Sequence, residues 1–163
     1  MENAPLVDEE LAAFLVSGVS VHAASRDATH LPCLVRGVGC RVSADGRRVT
    51  IFLLESQCGR LLADFAANGA IAFVASLPST HRTVQLKGTD ATAAAPQPGD
   101  RDLVERQRLA FEADLVKAGY DRGLPRTLAG GEWDDVVAVT FTPTSAFAQT
   151  PGPGAGAPLA GRR

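Results

Sequence analysis

The stretch from Val49 to Gly88 constrains this chain more than any other. It opens with Val49-Thr50-Ile51-Phe52-Leu53-Leu54, six residues without a charge and rich in β-branched and aromatic types. That composition predicts a strand buried on both faces. Glu55-Ser56-Gln57-Cys58-Gly59-Arg60 then reads as a helix start with Ser56 as N-cap. Leu61, Leu62, Phe65 and Ala66 recur at helical spacing, and Asn68-Gly69 is the stop signal. A second apolar run, Ala70 to Ala75, predicts another strand. Leu77-Pro78-Ser79 turns the chain, and Thr80 to Gly88 reads as a third strand.

The helix start has chemical content. A helix N-terminus presents unpaired N–H groups and the positive end of the macrodipole. Gly59 lets an anion approach the backbone, and Arg60 leans back toward the N-terminus, where it can grip a phosphate. The same residues also suit an ordinary capped helix with a surface arginine.

The rest of the chain supplies the frame. Residues 1–18 read as a helix capped by Asp8, with Leu11, Phe14 and Leu15 as its apolar stripe. Val19 to Ser25 is a strand. Leu31 to Val42 is extended but interrupted by Gly37 and Gly39, which points to a bulge or to a ligand approaching the backbone. Ser43-Ala44-Asp45-Gly46 predicts a hairpin turn into the Val49 strand. Residues 100–118 form a helix, with Val104, Phe111, Leu115 and Ala118 on one stripe. Gly123 to Gly131 reads as a loop, and Trp133 to Thr142 as the last strand. Residues 1–148 thus read as one domain, and the Pro/Gly/Ala-rich tail 149–163 cannot fold alone.

Composition narrows the function. The 163 residues carry a net charge of -2, which argues against a general nucleic-acid binder. No apolar run is long enough for a membrane span and no signal-peptide pattern is present, so the expectation is a cytoplasmic protein. Three cysteines, Cys33, Cys40 and Cys58, with no Cys-x-x-Cys pair, predict buried thiols rather than disulfides. His22, His30 and His81 are isolated, so no metal site is expected.

The order strand, Asp-Gly turn, strand, Ser-x-x-Gly-Arg helix, strand, Pro turn and Thr80 to Gly88 strand resembles the pyridoxamine 5'-phosphate oxidase-like family. The likeness covers roughly residues 19–92 and the final strand. It implies a mainly β fold with flanking helices, a six-stranded antiparallel split β-barrel of Greek-key type, working as a homodimer that binds FMN. Residue by residue, it implies that Arg60 takes the place of a phosphate-binding Arg in the helix start, beside Ser56 and Gln57. Leu61 stands where a Lys would be. Arg36 and Val38 match the family's cofactor strand, with Cys40 in place of its Lys. Arg82 and Thr83 match an Arg-Gln pair at the flavin, with Gln85 on the same face two residues on. The implied function is a flavin-dependent oxidoreductase of unnamed small-molecule substrate. The alternative is a non-catalytic flavin- or haem-binding dimer.

Overall fold

The computed structural model describes residues 5–121, 123–124 and 130–159. Helix α1 spans Glu9–Leu15, shorter than the sequence reading, whose first four residues lie outside the described ones. The Asp8 carboxylate accepts the Leu11 N–H at 2.9 Å, as its cap position predicts. Leu11, Phe14 and Leu15 are buried, so the stripe read from spacing faces the core.

Three strands follow: β1 (Ser20–Arg26), β2 (Pro32–Arg36) and β3 (Gly39–Val42). They lead into β4 (Val49–Leu54), α2 (Glu55–Asn68), β5 (Ile71–Ser76), β6 (Thr83–Gly88) and β7 (Thr92–Ala94). Helix α3 (Asp100–Lys117) comes next. A single 3-10 turn, Trp133–Asp135, then introduces β8 (Val136–Phe141) and β9 (Ser145–Ala148). The loop expected over residues 123–131 lies partly outside the described residues. Every residue of β4 is buried, which is why its sequence carries no charge and no alternation.

All strand pairings are antiparallel, in two sheets of order β2-β1-β5-β6-β9 and β3-β4-β8-β7. Nine strands are described where the sequence reading has six, because long extended runs break where the chain passes between sheets. The Leu31–Val42 run becomes β2 in one sheet and β3 in the other. At the crossing the Gly37 N–H bonds to Val21 O in the first sheet, and the Val38 N–H to Phe52 O in the second, both at 2.8 Å. A Cβ on Gly37 would come within 2.8 Å of the Ile51 side chain and 3.0 Å of Phe52 O. The glycine is required by chain crossing, not by a ligand. Strand β9 has no counterpart in the sequence reading. Its Ser-Ala-Phe-Ala run is too short to carry an alternation signal.

The main core lies between the sheets and is closed by α1 and α2, with Ile51, Leu53, Leu61, Phe73 and Leu86 fully buried. A smaller cluster, Phe52, Val104 and Ala138, lies under α3 with Val38, Trp133 and Val136 against it. No described helix is long and apolar enough to cross a membrane. The tail turns back on β9: Gly156 N–H bonds to Ala148 O at 2.7 Å, Leu159 N–H to Ala146 O at 2.8 Å, and Phe147 bridges to Pro158.

Candidate functional site

Helix α3 divides the surface on which the candidate residues lie. Its middle is pinned to the free edge of β3 by Gln107. That side-chain oxygen accepts the Cys40 N–H at 2.9 Å, and its amide donates to the Cys40 carbonyl at 2.6 Å, so one side chain does the work of a neighbouring strand. Gly39 permits the approach, since a Cβ there would lie 2.8 Å from the Gln107 oxygen. The second glycine of the interrupted strand therefore admits a helix, where the sequence reading offered a ligand or a bulge.

On one side of this pin, Val104 and Arg108 of α3 face Val38, Leu54, Trp133 and Val136 across a cleft of about 510 Å³. Trp133 closes it, with its ring 6.5 Å from that of Phe52. On the other side, Phe111 and Leu115 of α3 wall a cleft of about 640 Å³. Its floor is the open face of the five-stranded sheet. Cross-strand register sets that face in rows. Arg36, His22, Val74, Gln85 and Phe147 stand opposite one another across β2, β1, β5, β6 and β9. Ser20, Ser76 and Thr83 form the next row.

Arg36 is half-buried and its guanidinium lies 5.2 Å from the centre of the Phe111 ring. Among the described residues it makes no hydrogen bond or ion pair. Burial pulls it down from the usual guanidinium value, but an arginine keeps its proton in a protein. His22 beside it is held below the usual imidazole value of 6.5, first by burial and second by the Arg36 charge. No carboxylate lines this cleft among the described residues. His81, on its rim, takes a left-handed backbone (φ 59°) that closes the β5–β6 turn. Ser79 in that turn gives both its N–H and its hydroxyl to Asp114 of α3, at 2.9 and 2.6 Å, tying the turn to the helix.

The eight residues read from sequence fall into separate places. Arg36, Thr83 and Gln85 share the open sheet face. The Thr83 hydroxyl pairs with Ser76 at 2.7 Å, and Gln85 meets Gln149 of the tail at 3.4 Å. Val38 lines the Trp133 cleft. Arg82 turns to Glu10 at 3.3 Å and stacks 4.4 Å over Phe14, against α1. Gln57 is exposed on α2.

The helix start itself is arranged differently from the sequence reading. The N-cap is Leu54, because β4 runs into α2 without a loop, and Ser56 sits inside the first turn. Its N–H bonds to the Asp135 carboxylate at 2.9 Å and its hydroxyl to the second oxygen of the same group. A protein carboxylate thus stands at the positive helix end. Arg60 does not lean back over that end. It reaches the Leu31 carbonyl at 3.3 Å and Asp27 at 3.5 Å, at the β1–β2 turn.

Sequence reading set His22 and His81 aside as isolated histidines and passed over Ser76 and Asp135. A signal existed for His22 alone. Val21 and Ala23 are buried on either side of it, so alternation puts it on the open face. Its partner Arg36 depended on the length of the β1–β2 turn.

No protein-family model and no curated protein matches the sequence. Solved structures do share its fold. A putative pyridoxamine 5'-phosphate oxidase from Lactobacillus delbrueckii superposes with a TM-score of 0.53 at 18% identity, covering 91% of this chain and 98% of its own. An F420 reductase gives 0.53 at 15% identity, with 86% and 98% covered. A pyridoxamine 5'-phosphate oxidase-related, FMN-binding protein from Nostoc punctiforme gives 0.50 at 11%, with 94% and 89% covered. With two antiparallel sheets around one core and α2 leaving β4 directly, the chain shares the fold of pyridoxamine 5'-phosphate oxidase-like split-barrel proteins.

Proposed function

We propose that the protein is a homodimeric flavin-type oxidoreductase that binds FMN in the Arg36 cleft. The observation that carries this reading is the half-buried Arg36 guanidinium, with no acidic partner among the described residues. Partial burial of a cation without a counter-ion has a desolvation cost that a ligand phosphate would offset. The cleft fits the group in shape as well. Its volume of about 640 Å³ is in the range of cofactor sites, with Phe111 and Leu115 on one wall and polar groups on the floor. The F420 reductase and the FMN-binding Nostoc protein share the fold and support a flavin-type ligand.

In this arrangement Arg36 pairs with the phosphate, and Thr83 and Gln85 offer a hydroxyl and an amide along the same face. Ser56, Gln57 and Arg60 fall outside the contact set, because Asp135 and Asp27 engage two of them. The bound flavin supplies two-electron redox chemistry, and the chain positions it and excludes water. A second copy of the chain covers the open sheet face, where Leu34 is 67% exposed beside Ala24 and Ala72.

Titration of the apo-protein with FMN and with riboflavin tests the reading. Charge-assisted contacts are worth about 1.5–3 kcal/mol, so Arg36→Ala weakens FMN at least about tenfold and leaves riboflavin nearly unchanged. Equal affinities of the native protein for FMN and riboflavin refute the phosphate assignment. Light scattering of the flavin-loaded protein gives twice 17.0 kDa. A flavin-retaining monomer refutes the dimer. Anaerobic reduction by NADH or NADPH and reoxidation in air test the redox role. Failure of both nicotinamides favours a binding protein without catalysis.

A further inference from the structure

We propose that His22 and Arg36 act together as an anion clamp, in which seating a dianion on Arg36 draws a proton onto His22. This rests on the cofactor reading of the cleft and adds a group to it that the sequence motifs do not contain.

The geometry is fixed by register. His22 and Arg36 are direct cross-strand partners on the open face of β1 and β2. Opposed residues on one face have Cβ atoms about 4.5–5.5 Å apart. Both are half-buried in the same cleft. The other groups facing His22 are Val74 from β5, Phe111 and Leu115 from α3, His81 from the β5–β6 turn, and Tyr120 beyond α3. None is an acid. Asp114 of α3, which reaches the Ser79 turn beside the cleft, is committed to Ser79. Burial and the Arg36 charge therefore both hold His22 below the usual imidazole value.

A dianion leaves the burial in place and reverses the electrostatic influence. It cancels the Arg36 charge and adds negative charge at the imidazole, so His22 takes up a proton and becomes a second cationic donor. By linkage, the ligand binds the His22-protonated form more tightly. Binding then strengthens as the pH falls through the His22 titration, and one ligand takes up a fraction of one proton. The paired cations select a doubly charged terminal group, phosphate or sulfate, over a neutral end such as that of riboflavin.

Two probes separate this proposal from the cofactor reading. Sulfate is a dianion that does not titrate between pH 5 and 8, so any pH dependence of its binding belongs to the protein. FMN tests the cofactor. Calorimetry at one pH in buffers of different ionisation enthalpy counts the protons taken up. Proton NMR follows the three histidines, His22 being assigned by the signal lost in His22→Gln. The expected result is proton uptake with both ligands, and a His22 titration midpoint that rises by about one unit with sulfate. His22→Gln binds both ligands more weakly at low pH and loses the uptake, apart from what the FMN phosphate itself contributes. Equal uptake in the native protein and His22→Gln overturns the clamp, as does an unmoved His22 midpoint under saturating sulfate. Sulfate binding with uptake but no FMN binding keeps the clamp and overturns the cofactor reading. If neither ligand binds, both fall. Should His22→Gln fail to fold, the signals lost in His30→Gln and His81→Gln assign His22 by elimination, and its NMR midpoint in the native protein decides alone.

Discussion

Replacing Gln107 with leucine removes two hydrogen bonds while keeping most of the side chain's bulk. Gln107 is 6% exposed, and its amide satisfies both the N–H and the carbonyl of Cys40 at the free edge of β3. Leucine leaves both backbone groups buried without partners. Each orphaned group costs about 1–3 kcal/mol, so the variant loses roughly 2–6 kcal/mol if no water enters. For a chain of this length 1 kcal/mol moves Tm by about 2–4 °C, which places the fall at roughly 4–24 °C. Urea unfolding followed by circular dichroism reads the loss as a lower midpoint with an unchanged slope. A loss below about 1 kcal/mol would refute the reasoning, since the edge would then be satisfied without Gln107. The effect extends to the cleft. Phe111 lies one helical turn beyond Gln107 and stacks on Arg36, so freeing α3 from β3 also loosens the wall over Arg36 and weakens FMN.

Two further outcomes follow from titrating groups. Burial pushes Cys40 up to about 12, with its thiol donating to Leu15 O at 3.0 Å, and burial with neighbouring acids pushes Cys58 up to about 11. A thiol reagent at pH 8 therefore labels Cys33 alone in the folded protein and all three after denaturation; labelling of Cys40 under native conditions contradicts the packing. His22 is depressed in the folded ligand-free state, so the unfolded chain binds its proton more readily. Stability is then full above the ordinary value of 6.5 and falls as the pH drops through it. Comparing urea midpoints at pH 7.5 and 5.5 for the native protein and His22→Gln isolates that share, and a difference no smaller in the variant than in the native protein denies it.

Much of the fold was legible because its signals are local. The uncharged Val49–Leu54 run, the Asp8 cap, the Ser43–Gly46 turn and the Val104–Leu115 stripe each depend on residues within a few positions of one another. What the sequence hid depends on long-range pairing. Gly37 and Gly39 were visible as interruptions, but their causes lie in Ile51 and Gln107, 14 and 68 residues away. The rows on the open sheet are set by registers among five strands, so His22 reads as isolated until β2 is laid beside β1.

The helix start shows how a correct local argument meets a distant competitor. The dipole at that end acts as expected, although Ser56 is not the cap and Arg60 points elsewhere: the N–H groups of α2 are at the positive end and attract an anion. The anion there is the Asp135 carboxylate, 79 residues from Ser56 in sequence. It arrives because β8 pairs with β4 up to Leu54↔Val136, which delivers the residue before Val136 to the first turn of α2. With that end engaged and Arg60 drawn to Asp27 and Leu31, the Ser-x-x-Gly-Arg run has little left to offer a phosphate. Arg36 keeps its charge uncommitted in a cleft that no described carboxylate lines. Removing Asp135's charge with Asp135→Asn therefore leaves FMN affinity within about twofold, whereas Arg36→Ala costs about tenfold or more. Riboflavin serves as the control in both variants. A gain of tenfold or more for FMN in Asp135→Asn would return the phosphate to α2 and refute the assignment to Arg36.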